Sequence, residues 1–326
     1  AVGDLDNDGY LDIVSGSSNQ AYEVVVWQND GSPFSGTWIQ NDVGATTNNA
    51  DVQSVPVGDL ANDGDLDIVS SSGNADYEVI VWPNTQLHRN APFDSNGNGV
   101  GESIDAVYEV AIGDLDNDGN LDIVSGGDTD ENYEVIIWEN DGSPFSGTWT
   151  PNDVGTSTDS LYSITLGDLD NDGYLDIISG STGGEGVVWQ NDGTPFSGYW
   201  TTYQEVGESD ASVNSVRVGD LDNDGYLDIV SGGMATADYE VIVWENDGSP
   251  FSGTWTPNDV GASTTVRSVA VGDFDNDGDL DIVSGSTGAE DYEVIVWEND
   301  GSPFDSTWTP NDVGASVTSV RSVVVG

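Results

Sequence analysis

The chain has 326 residues and carries 60 Asp and Glu against four Arg and no Lys, a formal net charge of −56. Phosphate recognition needs a basic footprint that is missing here, so nucleic acid is not an expected partner, and an anionic membrane surface is disfavoured on the same ground. Cysteine is absent, which removes disulfide frameworks and thiolate metal sites, and no apolar run approaches the ~18 residues that span a bilayer.

Acidic chains can stay disordered, but 36% hydrophobic residues with 42 Gly, 11 Trp, 12 Tyr and seven Phe supply enough for a packed core. The first residue is Ala1 and the only methionine is Met234. The expectation is a processed or excised piece whose signal peptide lies outside the visible chain.

Along the chain, the run GDLDNDGYLDIVSG opens a first repeat with its leading aspartate at Asp4. It returns with leading aspartates at Asp59, Asp114, Asp168, Asp220 and Asp273, at intervals of 55, 55, 54, 52 and 53 residues. Each repeat continues with a segment like YEVIVWEN and another like TWTPNDVG, joined in five repeats by a turn like NDGSPFSG. The apolar residues are β-branched or aromatic, partly alternating, and bounded by Gly, Asn, Asp and Ser, so four strands per repeat are predicted. Asn-Asp-Gly favours positive φ and a tight reversal, and the following Pro stops further pairing.

Four short antiparallel strands every ~53 residues describe a propeller blade. The predicted fold class is all-β, a six-bladed β-propeller of four-stranded antiparallel blades, as one domain over residues 1–326. An open β-solenoid is the competing architecture, although its repeats are usually shorter. The C-terminal Val-Val-Gly repeats the register of Ala1-Val2-Gly3. Residues 317–326 are therefore candidates to complete the first blade, to be given to a neighbouring molecule, or to continue a longer array.

The loop D-x-D-x-D-G-x-x-D, between the first and second strands of each repeat, has a mechanical reason for each position. Asp at positions 1, 3 and 5 turns carboxylates toward one centre, Gly at 6 takes the sharp turn, position 7 offers a carbonyl, and Asp at 9 closes the shell. Hard oxygen ligands in this number suit Ca²⁺ better than Mg²⁺. The first repeat offers Asp4, Asp6, Asp8, the carbonyl of Tyr10, and Asp12. The second offers Asp59, Asp63, Asp65 at the carbonyl position, and Asp67; Ala61 replaces its position-3 carboxylate, so a weaker site is expected there.

The third repeat supplies Asp114, Asp116, Asp118, Asn120 and Asp122, and the fourth Asp168, Asp170, Asp172, Tyr174 and Asp176. The fifth supplies Asp220, Asp222, Asp224, Tyr226 and Asp228, and the sixth Asp273, Asp275, Asp277, Asp279 and Asp281. About six calcium ions are expected, in a structural role. A further weak site is a candidate at Asp94, Asn96, Asn98 and Glu102 in the irregular second repeat, against the plainer reading of a divergent hairpin.

These runs, with NDGSPF about 25 residues after each, resemble FG-GAP/VCBS-type repeats, including those of integrin α-subunit propellers. No literal Phe-Gly-Gly-Ala-Pro string occurs, and integrin propellers usually have seven repeats where six are visible here. The resemblance covers essentially the whole chain and implies calcium-bound, secreted or surface-displayed propellers used in adhesion, glycan binding or as enzyme appendages.

His88, the only histidine, stands beside Arg89 without a recognisable nucleophile or acid, and a single active site should break the repeat symmetry. No enzymatic activity is expected. Trp recurs twice per repeat, as at Trp297 and Trp308, and suits packing between blades better than sugar stacking. Arg217, Arg267 and Arg321, in first-strand segments, are assigned no function. The expected function is a non-catalytic extracellular structural or adhesive propeller, as in a surface layer, appendage or fibre, partnered by itself or another surface protein. The alternative is a glycan-binding module or the accessory propeller of a larger secreted enzyme.

Overall fold

The computed structural model describes all residues except 18–23, 45–50, 74–78, 85–96, 102–105, 129–134, 156–158, 199, 201–202, 209–211, 235–240, 262–264, 288–293, 305–307, 315–318 and 326. The architecture is an all-β propeller of six antiparallel blades, each built from four successive stretches of chain laid side by side in sequence order. Among the described residues there is no α-helix, only a 3-10 turn at Pro195–Ser197. The chain divides into two compact units, one of Ala1–Ser157 with Thr194–Tyr199 and Gly326, the other of Thr158–Gly193 with Trp200–Val325. The first unit holds blades one to three and the second holds blades four to six.

Blade three shows the pattern: Val107–Gly113, Asp122–Gly127, Val135–Glu139 and Thr150–Gly155, joined edge to edge as antiparallel pairs. Its Asp loop spans the hairpin between the first two strands, and the register Gly113↔Asp122 makes loop position 9 the first residue of the second strand. The same Gly↔Asp pairing opens the second strand in every blade. In blade two the first strand breaks into Val52–Ser54 and Val57–Gly58, because Pro56 has no N–H to give the ladder.

The cores lie between consecutive blades. One cluster joins Leu60, Val69, Val79 and Val81 of blade two to Val107, Val110, Ile123 and Trp138 of blade three. Equivalent clusters join blades one and two, four and five, and five and six. Strands whose two faces both meet a neighbour read as near-continuous apolar runs, which is why DIVSGG and VIIW lack strict alternation.

A tryptophan stands last or next to last in each third strand. Trp82, Trp138, Trp189, Trp244 and Trp297 are buried, and each indole N–H donates to a serine of the adjacent second strand, as Trp138 does to Ser125 at 2.9 Å. The second tryptophan of the repeat is buried at Trp149, Trp200, Trp255 and Trp308. At three of these the indole donates to the carbonyl of the turn proline, at 3.1 Å for Trp149 and Pro144. Packing, not an exposed stacking face, accounts for the recurrence.

The described C-terminal residues lie along blade six. The Val323 N–H donates to Ser268 Oγ at 3.1 Å, just as Val269 N–H donates to Ser215 Oγ and Val216 N–H to Ser163 Oγ, each at 3.1 Å. The segment thus meets blade six as a first strand meets the blade before it. In blade one, Val2–Gly3 pairs with Ile13 and Asp12 as the first strand.

Candidate metal centre

The Asp loop is shaped from within. In all six repeats the position-1 carboxylate accepts the N–H of the position-6 glycine, as Asp4 Oδ2 does from Gly9 at 2.8 Å. That glycine has φ of 90° to 100°, a region closed to side chains without strain. The position-5 carboxylate turns back to the position-7 N–H, as Asp118 Oδ1 does to Asn120 at 2.8 Å.

The position-9 aspartates, Asp12, Asp67, Asp122, Asp176, Asp228 and Asp281, are at most 2% exposed. Each accepts two backbone N–H groups. Asp122 takes Leu115 N–H at 3.0 Å on Oδ2 and Asn140 N–H at 2.9 Å on Oδ1. Position 9 therefore clamps the loop's entrance to the end of the third strand while each oxygen keeps a second lone pair.

Carboxylate oxygens converge at five of the six loops, within 4.8 Å of one another. The groups are Asp4, Asp6 and Asp8; Asp114, Asp116 and Asp122; Asp168, Asp170 and Asp176; Asp220, Asp222 and Asp228; and Asp273, Asp275 and Asp281. From repeat three onward the set is thus positions 1, 3 and 9. Asp118, Asp172, Asp224 and Asp277 lie outside these groups and cap the position-7 N–H. Repeat one instead gathers positions 1, 3 and 5, without Asp12.

No such group forms at Asp59, Asp63 and Asp67, where Ala61 removes the central carboxylate. At position 7, the side chains of Asp65 and Asp279 accept amide N–H groups from Asn7 and Asn223. The rings of Tyr10, Tyr174 and Tyr226 cover the glycines of the neighbouring Asn-Asp-Gly turns, Gly31, Gly193 and Gly248.

Burial opposes ionisation of several aspartates in these loops. Burial pushes the carboxyls of Asp67, Asp122, Asp176 and Asp228 up to about 7, against the lowering effect of their backbone hydrogen bonds. Burial also raises Asp6, Asp116, Asp170 and Asp222, with neighbouring carboxylates adding to the shift. Buried oxygens Asp6 Oδ1 and Asp220 Oδ1 have no hydrogen-bond partner. Oxygen-only donor sets with orphaned, buried lone pairs fit a hard divalent cation.

Two sets of functional residues escape the loop motif. One is the asparagine after each third strand. Asn140 is buried, and its amide donates to Leu121 O and to Leu60 O of the preceding blade, both at 3.0 Å. Asn84, Asn246 and Asn299 make the same pair of bonds. The other is a glutamine just beyond the loop: Gln28 donates to Asp6, and Gln190 to Asp170 at 2.7 Å.

Of the candidate extra site, Asp94, Asn96 and Glu102 lie outside the described residues, as do His88 and Arg89. Asn98 opens strand Asn98–Gly101 and pairs with Val81.

No curated protein matches the chain. The model of the FG-GAP-like repeat family matches residues 4–70, 114–179, 168–231 and 234–284, spans that open on the Asp loops in three of four cases. These matches cover more than half of the chain, and the protein belongs to the FG-GAP-like repeat family.

Proposed function

We propose that the protein is a calcium-loaded, non-catalytic propeller that serves outside the cell as a structural or adhesive element. The observation that carries this reading is the convergence of three carboxylate oxygens at five of six equivalent loops, on a rigid hairpin clamp. Repetition of one site fits a structural cation better than a single reaction centre. Calcium would be held by Asp114, Asp116 and Asp122 and their counterparts, neutralising charge that otherwise opposes folding. FG-GAP repeats are typical of extracellular proteins, and no helix among the described residues is long and apolar enough to cross a membrane. The remaining acidic surface keeps copies apart at low ionic strength, so assembly would need cations or salt.

Sedimentation in millimolar calcium, repeated after chelation with EGTA, tests the structural role. Large assemblies that dissociate on chelation support it. A monomer unchanged by either condition removes the self-assembling form of the reading and leaves adhesion to another surface protein.

A further inference from the structure

The fourth residue of every Asp loop is asparagine: Asn7, Asn62, Asn117, Asn171, Asn223 and Asn276. All six stand at positive φ, between 54° and 64°. Glycine would adopt this conformation at lower cost, so the amide side chain needs another reason.

That reason is the next loop. Asn7 Nδ2 donates to Asp65 Oδ1 at 2.8 Å, and Asn62 Nδ2 donates to Gly119 O at 2.9 Å and Asn120 Oδ1 at 3.0 Å. In the second unit, Asn171 Nδ2 donates to Gly225 O at 2.9 Å, and Asn223 Nδ2 to Asp279 Oδ1 at 2.9 Å. Every one of these bonds runs from position 4 of one loop to position 6 or 7 of the loop on the following blade. Position 4 lies between the carboxylates of positions 3 and 5, while position 7 is where the expected ligand set takes its backbone carbonyl.

We infer that Asn7, Asn62, Asn171 and Asn223 are positioning residues that couple their own cation loop to the next loop of the same unit, so that filling one loop tightens the one on the following blade. The inference rests on the calcium reading above. A cation seated on positions 1 and 3 orders position 4, which then holds positions 6 and 7 of the next loop in place. The second loop pays less ordering entropy for its own cation, and by linkage the effect is reciprocal. Ala61 does not break the chain of bonds, since Asn62 still reaches Gly119 and Asn120.

The test uses the full chain and calcium alone, read by hydrogen exchange and mass spectrometry on the peptide covering residues 220–228. The calcium midpoint for protection of this loop is measured in the parent, in Asn171→Gly, and in each with loop four disabled by Asp168→Asn and Asp170→Asn. Glycine keeps the positive φ, so the variant retains the loop's shape. Disabling loop four is expected to raise the loop-five midpoint about fivefold in the parent, the factor of one hydrogen bond's net worth. In Asn171→Gly the midpoint is already raised by that factor, and disabling loop four adds nothing. Asn223→Gly, read on residues 273–281, is expected to repeat the shift at loop six.

An unchanged midpoint in Asn171→Gly overturns the coupling. So does faster exchange by the same factor with and without calcium, which marks a purely structural tie. Absence of calcium-dependent protection at every loop of the parent overturns the calcium reading itself, and this inference with it.

Discussion

Gly101 at the end of blade two lies beneath the Trp138 indole of blade three. A Cβ built on Gly101 would stand 2.2 Å from Cζ3 and 2.4 Å from Cη2 of that ring. The same relationship joins Gly44 to Trp82, Gly207 to Trp244 and Gly261 to Trp297. The glycine of the Val-Gly pair in these fourth strands is thus the seat for the next blade's tryptophan, and Gly101→Ala must displace a buried indole. A loss of about 1–3 kcal/mol or more is expected in urea unfolding. Gly119→Ala, at φ 93° with nothing within 4 Å of its Cβ, should lose only about 1 kcal/mol through backbone strain. Equal stability of Gly101→Ala and parent would contradict this packing.

The buried asparagine tie gives a second expectation. Asn140→Ala leaves the Leu60 and Leu121 carbonyls without their amide partner inside the fold. A loss of about 1–3 kcal/mol should follow. The adjacent Asp141→Ala, which removes only an exposed cap on Ser143 N–H, should change stability by about 0.5 kcal/mol or less. Equal effects from the two variants would refute the assignment of Asn140 as an inter-blade tie.

Proton linkage fixes the sign of the pH dependence without calcium. Asp67, Asp122, Asp176 and Asp228 have folded values near 7 against an ordinary 3.8, so the fold favours their protonated forms. The resulting stability is fully present below about pH 4 and is lost as pH rises through about 7. Calorimetric Tm in calcium-free buffer should therefore fall between pH 5 and pH 8. Saturating calcium should flatten or reverse the trend, because cation binding replaces these protons. A Tm that rises from pH 5 to pH 8 without calcium would count against the buried clusters.

Nine buried tryptophans predict a blue-shifted emission that acrylamide quenches poorly. Oligosaccharides should leave it unchanged. A saturable spectral shift on adding a sugar would favour the glycan-binding alternative.

The repeat period and the composition of its segments were enough to read the blade, since four β-branched runs bounded by turn residues permit few other arrangements. The placement of the Asp loop between first and second strands was also legible, because DIVSG follows it directly. The division of labour inside the loop was not. Nothing in D-x-D-x-D-G-x-x-D says that position 9 also clamps two backbone N–H groups, or that position 5 also caps the position-7 N–H.

Asn140 and its counterparts read as turn formers because Asn-Asp-Gly usually is one. The available signal was Asn84, which persists in the irregular repeat where the Asp-Gly that follows is lost. Likewise Asn62 persists beside Ala61, where one ligand is missing, which marks a role separate from cation binding by its own loop. Such inter-blade bonds span 54–80 residues of sequence and leave no local periodicity to detect.

The central claim is tested most directly by counting bound calcium on the dialysed chain with native mass spectrometry, alongside titration calorimetry. The account predicts five ions of similar affinity and a sixth that binds more weakly at the Ala61 loop, with Ala61→Asp bringing the sixth into line. A chain that binds no calcium, or fills all six loops equally before that substitution, would contradict it.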